Sequence, residues 1–296
     1  MAVVLGANRY GKAQVRLVRV VKDGAVHHLK DLNVSCALSG EMDAVYLRGD
    51  NSAVLPTDTQ KNTVYAFART HGVDQIEDFA LVLARHYVAS QPAVHHARVE
   101  IDEYLWERVP AGGPAGPPRS SHSFVRSGRE VRTCVVHHDR DGTTSVMSGL
   151  KELVLLNSTG SEFQGFAVDE FTTLQPATDR ILASEVTARW RHGHAGGAFG
   201  ESYSEVRHCL LQAFADTYSL SLQQTLYEMG RRVIETRPEV CEVRLTMPNK
   251  HHFPVDLTPF GLDNPNEVFY AADRPYGLIE GAVLDDGAPD AGSAWE

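Results

Sequence analysis

The chain has 296 residues, which at roughly 150 residues per domain makes one large domain or two ordinary ones, with ample length for a core. Its 28 basic and 38 acidic residues give a net charge of −10. With no block of like charges, that balance excludes a broad phosphate-binding or anionic-membrane surface, so nucleic acid and membrane are not expected partners. The composition, 43% hydrophobic and 22% charged, is that of a folded globular protein, and no apolar run approaches the ~20 residues of a membrane-spanning helix.

The start, MAVVLGANRYGK, has too short an apolar stretch for a secretory leader, and an intracellular protein is expected. Segments 13–21, 26–38 and 42–47 alternate β-branched with polar residues, which predicts strands with one wet face. Thr57-Asp58-Thr59-Gln60 after Pro56 reads as a capping box with Thr57 at the N-cap, opening a helix through KNTVYAFAR. A second helix is predicted from about Asp74 to Ser90, with Ile76, Phe79, Ala80, Leu83 and Tyr87 as its apolar stripe. After Pro92 two alternating runs, joined by a Pro- and Gly-rich loop at 110–118, predict a long hairpin.

The second half repeats this order. Strands are expected at 143–156 and 179–190, then a glycine-rich loop from His192 to Gly200, helices at 202–217 and 221–236, strands at 240–247 and 252–257, and a short strand near Leu278. Each half therefore reads strand, strand, helix, helix, strand, strand. That pattern predicts an α+β fold of two like modules, 1–142 and 143–296, with antiparallel strands and helices on one face.

Cys36, Cys134, Cys209 and Cys241 contain no CxxC pair and are expected to be reduced, buried thiols. Four adjacent histidine pairs, His27-His28, His95-His96, His137-His138 and His251-His252, raise a metal site as an alternative to ordinary polar histidines. Neighbours on a regular strand point to opposite faces, however, and no HExxH is present. No metal is expected.

Several polar runs exceed what a surface requires: Asn8-Arg9-Tyr10-Gly11-Lys12, Pro56-Thr57-Asp58, the stretch from Ser158 to Arg180, Leu222-Gln223-Gln224 and Pro248-Asn249-Lys250-His251. They contain no GxSxG, P-loop or Rossmann fingerprint. Together with NPNEVFYAADRPYGLIE, they resemble the urate oxidase (uricase) family over nearly the whole chain.

The resemblance implies two tandem tunnelling-fold modules per chain and a homotetramer around a central tunnel, with active sites shared between subunits. It implies oxidation of urate by O2 and water to 5-hydroxyisourate and hydrogen peroxide, with no cofactor. It makes Lys12 and Thr57 catalytic and completes their relay with His251. Burial beside these partners would disfavour the ammonium form of Lys12 and make it a base. Asp58 and Thr57 would contact the substrate, Phe163 would stack on the purine, and Arg180 and Gln223 would grip its two edges. Leu222 would offer a backbone N–H, and Asn249 would line the place where O2 and water take turns. His252 should point away from His251. A purine- or pterin-binding module of the same fold, and a metal-dependent hydrolase, are the rival readings. The chain ends in GSAWE without a Ser-Lys-Leu address, so the cytoplasm is the expected location.

Overall fold

The computed structural model describes residues 1–110 and 119–296; the Pro- and Gly-rich loop predicted at 110–118 lies, from residue 111 on, outside them. The chain divides into two compact units. The first comprises Met1–Gly149, Arg191–Gly200 and Pro289–Glu296, and the second Leu150–Trp190 and Glu201–Ala288.

In the first unit, β1 (Tyr10–Asp23), β2 (Val26–Gly40), β3 (Val94–Pro110) and β4 (Arg119–Asp139) pair in that order as antiparallel ladders. Between β2 and β3 run α1 (Asp43–Arg48), α2 (Thr57–Thr70) and α3 (Ile76–Ser90). The predicted stripe of α3 is buried throughout: Ile76, Phe79, Ala80, Leu83 and Tyr87 pack with Leu32, Val34 and Leu38 of β2 and with Val99 and Ile101 of β3. Each large apolar side chain so buried contributes about 1.5–3 kcal/mol.

Residues 42–47, predicted as a strand, form α1 instead. Six residues are too few for alternation to exclude a helical turn. Here Asp43 and Arg48 suit the two ends of a helix dipole, and Gly49, at φ 70°, closes it in a left-handed C-cap.

A buried ion pair joins helix to sheet. Glu77, in the first turn of α3, lies 2.7 Å from Arg132 of β4 and accepts a 2.6 Å hydrogen bond from the Ser148 hydroxyl. Burial pushes the Glu77 carboxyl above the ordinary range, against the opposing pull of Arg132 and Ser148.

β5 (Thr144–Asn157) leads into the second unit, where β6 (Leu182–His192), β7 (Val240–Pro254) and β8 (Phe269–Leu284) follow in order. The helices here are α4 (Phe199–Asp216) and α5 (Leu222–Thr236). Leu182, Val186 and Trp190 of β6 pack with Leu210 and Phe214 of α4, with Leu226 and Met229 of α5, and with Val243 and Leu245 of β7.

The strand predicted from 179 begins at Leu182, which leaves Arg180 outside it. The two strands predicted at 240–247 and 252–257 are one, β7, running through Pro248. The partner strand absorbs the irregularity: pairing jumps from Asn249↔Gly277 to His251↔Ala272, so residues 273–276 of β8 stand opposite Lys250 alone. β8 is accordingly a full strand rather than a short one. All four cysteines are buried thiols outside any disulfide, as expected.

Candidate active site

Six of the sequence-predicted residues meet in the second unit. Phe163, Arg180, Leu222, Gln223, Asn249 and His251 line one cavity of about 480 Å³, a volume typical of a small-molecule site.

The segment before β6 folds back on itself to present the first two. Phe163 and Ala177 exchange both backbone hydrogen bonds, at 2.8 and 3.0 Å, and Arg180 N donates to Ser161 O at 2.9 Å. A side-chain bond from the Thr159 hydroxyl to Asp179, 2.7 Å, closes the next rung. Phe163 stacks against Phe166 at 5.2 Å, which fixes its ring plane. Arg180 spends its Nε–H on the Ser161 hydroxyl at 3.2 Å, and its two terminal nitrogens remain as a planar fork. Burial lowers the guanidinium below its ordinary value without removing its charge.

Leu222 and Gln223 open α5. Ser221 is the N-cap, and its hydroxyl accepts from Gln224 N at 3.2 Å while the Gln224 side chain accepts from Leu220 N at 2.8 Å. The Ser221 half of a capping box is thus present, while the Gln224 side chain reaches one residue further back, to Leu220 N. The N–H groups of Leu222 and Gln223, in the first helical turn, have no intrahelical acceptor, so this helix end offers donors and partial positive charge to an anion.

Asn249 and His251 come from β7, on either side of the irregularity at Lys250, and both line the cavity. Lys250 between them turns the other way and pairs with Glu185 at 3.0 Å. His252, expected to point away, also lines the cavity. The ladder to β8 breaks between Asn249 and His251 and is regular again at His251↔Ala272 and His252↔Ala271. Burial, followed by the charges of Arg180 and His252, holds His251 below the ordinary imidazole range, which leaves a neutral ring at neutral pH.

Lys12, Thr57 and Asp58 belong to the first unit and do not line this cavity. They are brought together there by Tyr10, whose hydroxyl accepts from Leu55 N at 3.0 Å and donates to Leu55 O at 3.2 Å, tying the start of β1 to the turn before α2. Gly11 is required by close approach: a Cβ there would stand 1.8 Å from the Cys36 carbonyl oxygen. A bulge between Lys12 and Val15, with Gln14 at φ 61°, then re-aims the strand immediately after Lys12. The expected burial of Lys12 is not met within the chain, where it is half-exposed.

The predicted capping box of α2 is absent. Pro56, not Thr57, is the N-cap, and no side chain caps the helix, so Thr57 occupies the first helical position with its hydroxyl free of that duty. Asp58 is exposed, held below the ordinary carboxylate range chiefly by its bond to Lys61, with smaller help from Asn62 and Lys12.

Sequence reasoning missed the roles of Tyr10 and of the serines beneath Arg180, since neither carries a charge or a metal-ligand spacing. Among the described residues, no group of three or more His, Cys, Asp or Glu is placed to hold a metal ion. The histidine pairs at the sheet are instead bonded to protein: His137 Nδ1 lies 3.1 Å from His96 Nε2, and His96 Nδ1 lies 2.7 Å from Asp139. Burial takes His137 down to about 3.

The cavity thus offers an aromatic face, a planar cation, an amide, unspent helix N–H groups and a neutral imidazole. Such a set can hold a flat, polar, anionic ring and accept a proton from it.

A family model described as uricase matches residues 8–137 and 146–280. The uricase of Arthrobacter globiformis is 50% identical over 286 residues, covering 97% of this chain and 91% of its own. The uricase of Danio rerio is 37% identical over 279 residues, covering 93% and 92%. The crystal structure of the Arthrobacter globiformis uricase superposes with a TM-score of 0.94 at 49% identity, covering 100% of this chain and 99% of the other.

Proposed function

The chain belongs to the uricase family, and we propose that it oxidises urate by O2 and water to 5-hydroxyisourate and hydrogen peroxide without a bound cofactor. The observation that carries this reading is the convergence of Phe163, Arg180, Leu222, Gln223, Asn249 and His251 on one cavity. Urate is a planar bicyclic anion. Phe163 stacks on its face, while the Arg180 fork and the Gln223 amide take opposite edges. The Leu222 N–H supplies a further donor, and Asp58 and Thr57 complete the contacts. Asn249 holds the position taken in turn by O2 and water.

Lys12, Thr57 and His251 carry the protons. The reaction takes two electrons from urate and gives them to O2, which leaves as hydrogen peroxide, while water supplies the new hydroxyl of the product. Deprotonated urate is itself the electron donor, so the protein's part is to bind the anion, remove a proton and hold O2 against the ring in a site shielded from bulk water.

In this reading the protein is a homotetramer of paired modules, 1–142 and 143–296 in each chain, acting in the cytoplasm. Lys12, Thr57 and Asp58 of one chain complete the cavity of a neighbour. The half-exposure of Lys12 supports this, because a neighbour's surface would supply the burial that the single chain lacks. Among the described residues, no helix is long and apolar enough to cross a membrane.

The test is an assay of urate loss by absorbance, with and without O2, and of peroxide formed. Stoichiometric peroxide and full activity after chelation are expected. Binding of urate without turnover would favour the purine-binding module, and activity abolished by chelation would favour the metal-dependent hydrolase.

A further inference from the structure

We infer that Ser161, Ser219 and Thr225 form a positioning lattice that fixes the separation between the Arg180 fork and the Gln223 amide, and so sets the width of the slot for a planar substrate. This rests on the reading of the cavity as the urate site. None of the three lines the cavity, and all are buried to 1% exposure or less.

The lattice runs without a gap from one jaw to the other. Ser161 accepts Arg180 Nε–H at its hydroxyl, 3.2 Å, and Arg180 N–H at its carbonyl, 2.9 Å. The same side chain's backbone and the fork's one non-forking donor are thereby both fixed. Ser161 is bridged to Ser219: Ser219 N donates to Gly160 O and Glu162 N donates to Ser219 O, each at 2.9 Å. The Ser219 hydroxyl accepts from Thr225 at 2.8 Å and donates to the carbonyl of Ser221 at 3.1 Å. Ser221 is the N-cap directly before Leu222 and Gln223.

The Ser219 and Thr225 hydroxyls bond to each other, the backbone bridge carries the connection on to Ser161, and together these links make the lattice stiff. An arginine held only at its tip swings about several side-chain torsions. One held at Nε and at its own backbone keeps the plane of its fork. Misplacement by about 1 Å at a substrate clamp is costly in rate.

The experiment compares Ser161→Ala, Thr225→Val and Thr225→Ser with wild type for kcat, KM and thermal midpoint. An arginine left free to swing must be ordered again when substrate binds, which costs roughly two- to ten-fold in affinity. Ser161→Ala should therefore raise KM for urate by up to about ten-fold, with kcat changing much less. Thr225→Val should shift KM in the same direction, and Thr225→Ser, which keeps the hydroxyl, should restore it. Variants that lose thermal stability but keep the wild-type KM would overturn the inference, since the lattice would then be structural only. A wild type that neither binds nor oxidises urate would overturn the reading of the site as well, which separates the two failures. If Ser161→Ala does not fold, the Thr225 pair decides: equal KM in Thr225→Val and Thr225→Ser contradicts the lattice.

Discussion

The guanidinium carbon of Arg180 lies 5.2 Å from the centre of the Phe163 ring, with the two residues on neighbouring rungs of the same folded-back segment. The cation thus sits over an aromatic ring that lines the same cavity. The contact is itself favourable, worth about 0.5–2 kcal/mol for a cation near an aromatic face.

Arg180→Ala removes that cation while the anion must still leave water, and should weaken urate binding by roughly 2–5 kcal/mol. Arg180→Lys should recover only part of the loss, because a point charge does not reproduce the fork. Steady-state kinetics check this: an unchanged KM in both variants would remove Arg180 from the clamp.

Lys12→Met should leave binding of a non-reactive urate analogue intact and lower kcat by about 10²–10⁴-fold, the usual contribution of a positioned base. A variant that binds the analogue and turns over at the wild-type rate would show that Lys12 is not the base.

His251 is held below the ordinary imidazole value by burial, then by Arg180 and His252. Its folded value is depressed, so its contribution to stability is complete above the ordinary value of 6.5 and is lost as pH falls through the window beneath it. The neutral ring persists into that window, and the acid limb of kcat/KM should lie below pH 6.5. His252→Gln removes one of the repelling charges and should move the limb upward. An acid limb at or above 6.5 in the wild type would contradict the assignment.

Glu77→Ala should be strongly destabilising, by about 3–5 kcal/mol, because it removes a counter-charge 2.7 Å from the buried Arg132. Glu103, a second acidic neighbour, lies at 3.8 Å. Denaturant unfolding measures the effect, and a loss below 1 kcal/mol would mean that the pair contributes little here.

Much of the fold was legible because its signals are long. The α3 stripe spans three turns, and the Ile76 to Tyr87 spacing admits only a helix. At α1 the window was six residues, and turn chemistry at Gly49 outweighed alternation. The capping reading failed at α2, whereas at α5 the Ser221 hydroxyl does cap the helix through Gln224 N. The motif is short, and the preceding Pro56 took the cap position. The place of His252 on the cavity was not legible because alternation gives the face a side chain takes, not how far round the strand a cavity reaches. The charged and aromatic site residues stood out in family-like runs. Tyr10 and Ser161 lay inside those runs, but their roles, like that of Ser219, were not legible, because a hydroxyl's work depends on what lies across from it.

The central claim is that a complete site takes Thr57 from one chain and Arg180 from another, and complementation tests it most directly. Thr57→Ala and Arg180→Ala, each inactive alone, are denatured, mixed in equal amounts and refolded together. Hybrid tetramers should recover roughly a quarter of wild-type activity, since random pairing joins an intact Thr57 with an intact Arg180 in that share of interfaces. Hybrid tetramers as inactive as either parent would place the whole site within a single chain and contradict the account.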